Sequence, residues 1–341
     1  MPSTPRIADP VTAQLTLTDY SVRFDTPDGM VKAVTEMNLT LQQGEKLAVV
    51  GESGSGKSQC WLGVMGLLAH NARVTGRAEF GGRNLLEMSS RQLDRIRGRE
   101  MSMVFQDPMT ALNPTLRISR QLTEPLEVHF GMGRAAAEKR AIAMLERVGI
   151  PDPVKRFRLY PHELSGGMRQ RVVIAMALLA EPKVLIADEP TTALDVTIQA
   201  QILELFQELV TQMGTTLVII SHDLGVVAGL ADRVAVMYGG RIVENAPVDD
   251  VFARPAHPYA EALLHSIPRV DRAESEIRPI AGRPPSLVDL PAGCSFHPRC
   301  AYAEDACQAA VPPLADVGRN RTAACIKPLN APRKQEAMAD E

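Results

Sequence analysis

The chain has 341 residues, a formal net charge of −3 at pH 7 and 45% hydrophobic residues, which is enough for one large and one small domain with buried cores. The weakly acidic balance argues against a broad nucleic-acid-binding surface, which needs a strongly basic patch. No apolar run approaches the roughly 18 residues that span a bilayer, and the N-terminus lacks the apolar segment of a secretory signal, so we expect a cytoplasmic protein.

The first predicted elements are two strands joined by a turn. Apolar residues alternate with polar ones from Leu15 to Phe24, residues 27–29 are typical of a turn, and residues 31–41 are predicted to form the returning strand. Residues 47–50 then form a short apolar run typical of a buried strand. This part of the sequence therefore predicts an antiparallel sheet followed by the first strand of a core.

A glycine-rich loop follows that buried strand. It comprises Gly51, Glu52, Ser53, Gly54, Ser55, Gly56, Lys57 and Ser58. Its glycines lack the Cβ atoms that would keep phosphate oxygens away from the backbone N–H groups, and a helix predicted over residues 59–68 directs its positive end at the same point. Lys57 would reach the β- and γ-phosphates, and the Ser58 hydroxyl would bind Mg²⁺. The strand before the loop and the helix after it favour nucleotide binding over a plain glycine turn with an exposed lysine.

Further along the chain, short strands alternate with helices. Four apolar runs rich in branched residues predict buried parallel strands: residues 103–105, 184–187, 217–220 and 234–237. Helical periodicity is clear over residues 198–209, where Asp195 is placed to cap the start and Gly214 the end, and again over residues 141–148. Residues 109–160 carry no strand signal and predict a helical subdomain. The pattern as a whole predicts an α/β fold.

A second motif precedes the strand at residues 184–187. Its residues are Leu164, Ser165, Gly166, Gly167, Met168, Arg169, Gln170 and Arg171. Asp188 and Glu189 follow that strand directly. Phosphoryl transfer to water is mainly a problem of positioning and electrostatics, so Asp188 is placed to hold Mg²⁺ and Glu189 to orient and deprotonate the attacking water. The plainer alternative is that the two carboxylates only end a strand.

The glycine-rich loop, the Leu-Ser-Gly-Gly segment and the strand ending Asp-Glu together resemble the ATP-binding-cassette (ABC) ATPases. The resemblance implies an α/β P-loop NTPase cassette over residues 12–252. Such a cassette has a RecA-like mixed sheet, an antiparallel β subdomain and a helical subdomain, here at about residues 109–165. After about residue 252 the chain becomes Pro- and Cys-rich, which predicts a small separate C-terminal module over residues 253–330. Residues 1–11 and 331–341 are predicted to be flexible tails.

The resemblance also implies roles for residues outside the two motifs. Gln106 corresponds to the glutamine that contacts Mg²⁺ and the water and senses the transport partner. His222, in Ser-His-Asp after the strand at residues 217–220, corresponds to the histidine that contacts the γ-phosphate. Phe24 is our choice for the aromatic ring that stacks on adenine, with Tyr20 as the alternative.

Three further residues are implied to act between two cassettes. In the family, Ser165 and Gly167 bind the γ-phosphate held by the other subunit's P-loop, and Asp195, in Ala-Leu-Asp, belongs to the loop that crosses the interface. Two ATP molecules are then held between two head-to-tail domains. Because this chain has one P-loop, the resemblance implies a second ABC ATPase as partner, identical or homologous.

The branch of the family is indicated by the segments between and after these motifs. A DNA-repair ABC protein would carry a long coiled coil, and a translation-type protein would carry two cassettes in one chain. Instead, five segments resemble the ATP-binding subunits of oligopeptide and dipeptide importers: residues 104–114, 160–165, 187–195, 257–259 and 293–300. The likeness extends from about residue 14 to 328.

Membership of that branch would imply the remaining subunits of a transporter complex. They are two transmembrane permease subunits, docked around residues 107–113, and an extracytoplasmic solute-binding protein that acts indirectly. The chain would lie at the cytoplasmic face of the membrane and use ATP and Mg²⁺. Two alternatives stay open: the same engine with nickel, glutathione or another solute as cargo, and a regulatory ATPase with a metal- or redox-sensing module.

Four of the five cysteines cluster near the C-terminus. Cys294, Cys300, Cys307 and Cys325 are separated by five, six and seventeen residues, unlike the close Cys-x2-Cys pairs of structural zinc. Disulfides are disfavoured in a reducing cytoplasm, whereas four thiolates in a core-poor segment suit a metal centre. Importer subunits with matching cysteines bind a [4Fe–4S] cluster, so the resemblance implies one here, with zinc or free thiols as alternatives. Cys60 is expected to be a small core residue.

Overall fold

The computed structural model describes residues 13–106, 108–191, 196–266 and 279–331. Its strands are β1 Ala13–Thr26, β2 Gly29–Gln42, β3 Lys46–Val50, β4 Ala72–Phe80, β5 Arg83–Asn84, β6 Met101–Val104, β7 Val184–Asp188, β8 Thr216–Ser221, β9 Arg233–Tyr238, β10 Arg241–Pro247, β11 Ala315–Asp316 and β12 Thr322–Ala323. Its α-helices are α1 Lys57–Val64, α2 Ser90–Leu93, α3 Pro108–Ala111, α4 Ile118–Phe130, α5 Arg134–Arg147, α6 Pro153–Arg156, α7 Gly166–Leu178, α8 Val196–Met213, α9 Leu224–Ala228, α10 Val248–Ala253 and α11 Pro258–His265. Within these ranges, none of the helices combines the length and the apolar character needed to cross a bilayer.

The described strands form two sheets. One is antiparallel, with the order β2-β1-β4-β5, and the other has the order β11-β12-β10-β9-β3-β8-β7-β6. In the larger sheet, β9, β3, β8, β7 and β6 run parallel, while β10 and β12 are antiparallel additions. Because parallel strands end at the same edge, the segments that follow β3, β6, β7 and β8 are brought together there.

The larger sheet is buried on both faces, and alternate residues of one strand face different cores. Ala48 and Val50 of β3 pack with the helices that lie between residues 108 and 231. Leu47 and Val49 of the same strand pack with the antiparallel sheet and α1. This two-sided burial explains why the core strands appear in the sequence as continuous apolar runs rather than as alternating patterns.

Helix α1 ends four residues before its predicted end, and strand β6 ends one residue before its predicted end. Helix α1 ends at Val64 instead of Leu68, because Gly66 adopts φ +65° and the Leu67 N–H bonds back to the Leu62 carbonyl, as in a Schellman stop. Strand β6 ends at Val104, which leaves Phe105 outside the sheet and 43% exposed.

The segment predicted as a separate C-terminal module is, in the structure, joined to the larger sheet and its core. Strand β12 pairs with β10, where Ala323 lies opposite Glu244. Tyr259 of α11 and Phe296 are buried in the same apolar cluster as the helices of the cassette. The sequence pattern suggested a separate module because the segment has little regular secondary structure. In the structure, its apolar side chains pack into the hydrophobic core of the cassette.

Candidate active site

The glycine-rich loop between β3 and α1 packs tightly against neighbouring backbone. A Cβ atom on Gly51 would lie 2.2 Å from the Met237 carbonyl oxygen, and one on Gly56 would lie 2.0 Å from the Ala33 carbonyl oxygen. Gly54, at φ +78°, has open space around it. The glycines therefore do more than admit phosphate: at positions 51 and 56 they let the loop lie directly against β9 of the larger sheet and β2 of the antiparallel sheet.

This difference predicts unequal effects of two alanine substitutions. Gly56→Ala is expected to destabilise the chain by about 1–3 kcal/mol more than Gly54→Ala, since both pay for a left-handed conformation but only Gly56→Ala drives a methyl group into backbone. Thermal unfolding of the two full-length variants measures the difference, with Gly54→Ala as the matched control. Equal midpoints would contradict the packing described here.

Lys57, at the start of α1, is folded back into the loop and only 6% exposed. Its Nζ donates to the carbonyl oxygens of Gly51 at 2.7 Å and Glu52 at 2.9 Å. Burial lowers the pKa of Lys57, while the carboxylates of Glu189, Asp188 and Glu52 act in the opposite direction. The carbonyl oxygens thus hold the ammonium group within the glycine-rich loop. A bound phosphate could take their place as the hydrogen-bond acceptor of this group.

Ser58 and Asp188 face each other across the sheet edge. The Ser58 hydroxyl donates to Asp188 Oδ1 at 2.9 Å, although 130 residues separate the two. Burial raises the pKa of Asp188, and the neighbouring Glu189 carboxylate adds to that rise. A hydroxyl and a carboxylate in contact are the hard oxygen donors that Mg²⁺ prefers, so this pair fits the ion predicted here.

Glu189 connects the ends of three strands. Gln106 Nε2, after β6, donates to Glu189 Oε2 at 2.8 Å, and His222 Nδ1, after β8, lies 3.1 Å from Glu189 Oε1. Glu189 itself takes φ +45°, an unusual conformation for a residue with a side chain. The three residues predicted to carry the catalysis therefore form one hydrogen-bonded group.

The Leu-Ser-Gly-Gly segment starts a long helix. Ser165 is exposed and caps α7, its hydroxyl accepting from the Met168 N–H, and Gly167 lies in the first turn. Within the described residues no hydrogen bond joins Ser165 or Gly167 to the glycine-rich loop of the same chain. Gln170, a motif residue for which the sequence predicted no role, is fully buried and donates from Nε2 to the Pro190 carbonyl, so it connects this helix to the segment that follows β7.

The candidates for stacking on adenine lie on β1. Tyr20 is fully buried, and its hydroxyl donates to the Cys60 carbonyl at 3.1 Å, so this ring is unavailable to a ligand. Phe24 is half-buried at the edge of the same cluster and remains the prediction. Cys60 is fully buried, as expected of a core residue.

Two predicted segments fall partly outside the described residues. Asp195 and the Ala-Leu before it lie in the gap at residues 192–195, so its capping and interface roles stay predictions. Asp107, the first residue of the predicted docking segment, lies in the gap after Gln106. The rest of that segment forms α3 and the turn that follows, directly beyond β6.

Glu52 has contacts that the sequence did not predict. Its carboxylate forms a bidentate ion pair with Arg299, at 2.6 and 3.0 Å, across 247 residues of chain. Its backbone N–H donates to the Tyr259 hydroxyl at 2.7 Å. Glu52 was predicted to bind nucleotide with the rest of the loop, yet in the structure both of these groups are engaged by the C-terminal region.

The four C-terminal cysteines line one pocket, together with His257, Phe296 and Tyr302. Two of the sulfurs accept backbone N–H groups: Cys300 from Tyr302 at 3.4 Å, and Cys307 from Glu304 at 3.5 Å.

The surroundings of the cysteines have opposing effects on the pKa values of the thiols. Burial raises the pKa of Cys294, Cys300 and Cys325, while the backbone donors favour the thiolate. Across the described ranges, no three or more His, Cys, Asp or Glu side chains are arranged as a site for a metal ion.

The fold and the site together define an ABC ATPase. The chain has a mixed sheet, a P-loop after β3, the Asp-Glu pair at the end of β7 and a Ser-Gly-Gly segment at the start of α7. The chain matches the ABC transporter family over residues 34–192 and the oligopeptide/dipeptide transporter C-terminal region over residues 243–307.

Individual relatives point to the same branch. The oligopeptide transport ATP-binding protein OppD of Salmonella typhimurium is 52% identical over 320 residues, covering 94% of this chain and 95% of that protein. The dipeptide transport ATP-binding protein DppD of Bacillus subtilis is 52% identical, covering 84% and 86%. A dimeric ATP-binding cassette solved in a post-hydrolysis state with ADP and Pi superposes with a TM-score of 0.62 at 26% identity, covering 69% of this chain and 98% of that one. The chain belongs to the ATP-binding proteins of the oligopeptide/dipeptide ABC transporter family.

Proposed function

We propose that this chain hydrolyses ATP to power the uptake of dipeptides or oligopeptides through a membrane importer. The observation that carries the proposal is the hydrogen-bonded group of Gln106, Glu189 and His222 beside the Ser58–Asp188 pair. The peptide cargo is taken from the relatives, which are named for oligopeptide and dipeptide transport. A subunit of this kind does not touch the cargo, so nickel, glutathione or another solute stays the alternative.

The site residues divide the chemistry among them. The P-loop N–H groups and Lys57 bind the phosphates, and Phe24 stacks on the adenine. Ser58, Asp188 and Gln106 hold Mg²⁺, which when bound neutralises charge on the phosphate oxygens.

Glu189 takes a proton from the attacking water, whose oxygen bonds to the γ-phosphorus while the bond to the bridging oxygen of ADP breaks. Glu189 is held for this task by Gln106 on one oxygen and His222 on the other. His222 is exposed, which suits contact with a γ-phosphate arriving from solvent.

The complete site needs a second ATPase. Ser165 and Gly167 are proposed to bind the γ-phosphate held by a partner cassette, with Asp195 in the loop that crosses the interface. The exposure of Ser165 at the start of α7 supports this arrangement, and the dimeric cassette with ADP and Pi offers a solved precedent. The partner is an identical or, as we propose, a homologous subunit.

The remaining partners follow from the branch. We propose two transmembrane permease subunits, docked on the segment after Gln106, and an extracytoplasmic binding protein that delivers cargo, with this chain on the cytoplasmic face of the membrane. A detergent pull-down of the tagged full-length chain from its native membranes, followed by mass spectrometry, tests this. Two permeases and a second ATPase are expected. Recovery of soluble proteins alone would favour the regulatory ATPase instead.

We further propose that Cys294, Cys300, Cys307 and Cys325 hold a [4Fe–4S] cluster. Their convergence on one pocket and the backbone N–H donors at Cys300 and Cys307 support a site for thiolates. Protein purified without oxygen is expected to show a broad absorbance near ~400 nm and bound iron. Cys300→Ser should lose both, whereas Cys60→Ala, in the core, should keep them. Colourless protein that binds zinc alone, or no metal, would contradict the cluster.

A further inference from the structure

The C-terminal region makes a direct polar connection to the glycine-rich loop, through Glu52. Both carboxylate oxygens of Glu52 accept from the guanidinium of Arg299, and the Glu52 N–H donates to the Tyr259 hydroxyl. Side-chain and backbone groups of one loop residue are therefore held by two residues that lie more than 200 positions away in the chain.

Arg299 is built into its position. Its side chain is 4% exposed, its Nε donates to the Ala281 carbonyl at 2.8 Å, and its Nη1 donates to the Tyr238 hydroxyl at 3.2 Å. The guanidinium also lies 5.8 Å from the centre of the Tyr238 ring. The Glu52 side chain is 26% exposed, so the pair is half-buried rather than a surface pair, and removing the Glu52 charge would leave the guanidinium of Arg299 buried without compensation.

The turn that carries Arg299 also carries a cysteine of the pocket. Residues His297–Arg299 form a single turn that ends at Cys300, whose N–H bonds to the His297 carbonyl. Beneath it, the rings of Phe296, Tyr238 and Tyr259 pack on one another with centroids 4.5–5.3 Å apart. The Arg299–Glu52 pair thus joins the cysteine-lined segment to the glycine-rich loop, next to a packed aromatic cluster.

We propose that Arg299 is a positioning residue for ATP binding, which holds the glycine-rich loop in its binding conformation through Glu52. The inference rests on the assignment of residues 51–58 to the nucleotide. Arg299 does not contact the phosphates. Because it holds the loop in place beforehand, it reduces the loss of conformational entropy when the loop becomes ordered around ATP. The C-terminal segment, outside the ABC transporter match, becomes part of the support of the ATP site.

The test uses the full-length chain and, for turnover, the purified transporter. Arg299→Ala and Glu52→Gln are each expected to weaken ATP binding roughly tenfold, with KM raised and kcat nearly unchanged, since the catalytic group around Glu189 is left intact. Arg299→Lys should be intermediate, because it keeps the charge but loses the two-pronged geometry. Arg283→Ala, an exposed arginine in the same segment, is the matched control and should bind ATP normally.

The double variant decides whether Arg299 acts through Glu52. If it does, Arg299→Ala with Glu52→Gln should bind ATP no worse than either single variant; additive losses would overturn the inference. Normal ATP affinity in Arg299→Ala would overturn it as well. Should Arg299→Ala fail to fold, Glu52→Gln and Arg299→Lys give the same comparison. Lys57→Ala distinguishes failure of the proposed function from failure of the role of Arg299. If Lys57→Ala and Arg299→Ala both bind ATP normally, the assignment of the glycine-rich loop to the nucleotide is wrong. If Lys57→Ala loses ATP binding and Arg299→Ala does not, only the role of Arg299 is wrong.

Discussion

Glu189→Gln is expected to abolish steady-state ATP hydrolysis while ATP binding is kept. The loss should be about two to four orders of magnitude in kcat, the usual effect of removing a general base. The structure favours this substitution as a clean test, because a glutamine retains the shape and an oxygen that can accept from Gln106 Nε2. Contact with the imidazole of His222 is also possible through the new amide.

The same variant is expected to accumulate in the ATP-bound, associated state. Size-exclusion chromatography with ATP and the proposed partner ATPase should show a stable dimer, which we expect the wild-type protein to form only transiently. Glu204→Gln, an exposed glutamate on α8, is the control and should hydrolyse ATP normally. Near-normal turnover of Glu189→Gln would remove Glu189 from the role of base.

Lys57→Ala is expected to remove most of the affinity for ATP. The substitution deletes the charge that would face the phosphates and leaves the Gly51 and Glu52 carbonyl oxygens without their present donor. Charge-assisted hydrogen bonds contribute about 1.5–3 kcal/mol each, so we expect a loss of roughly ten- to a hundredfold or more. Equilibrium binding of a fluorescent ATP analogue to the full-length chain measures it.

Two variants make the Lys57 result specific. Lys139→Ala, an exposed lysine on α5, should leave ATP binding unchanged. Lys57→Arg keeps a charge but places a larger planar group in a buried position, so it should restore binding only in part. Unchanged affinity in Lys57→Ala would mean that the loop does not hold the phosphates.

Much of the catalytic site was predictable because its determinants are local. The glycine-rich loop, the Asp-Glu pair and the Leu-Ser-Gly-Gly segment each consist of neighbouring residues next to a strand or a helix. Parallel strands with a common edge then bring Gln106, Glu189 and His222 together, as the structure shows. The chemistry of these segments is carried by their residue types and order, so one sequence is enough to recognise it.

Other features depend on which surfaces meet in the folded chain. Tyr20 and Phe24 lie on one strand and are equivalent as aromatic residues, yet packing buries the first and leaves the second half-exposed. Strand β6 likewise ends at Val104, which leaves Phe105 outside the sheet and exposed. No pattern in neighbouring residues specifies these outcomes, since burial is a property of the assembled core.

The sequence by itself determined the class of this protein, the identity of its ATP-binding and catalytic residues as predictions, and the presence of four cysteines near the C-terminus. Only the tertiary structure decided that those cysteines share one pocket and that Arg299 pairs with Glu52. The physical reason is distance along the chain. Local motifs are specified by adjacent residues, whereas a contact across 247 residues exists only after the sheet, the aromatic cluster and the C-terminal turns have packed against one another.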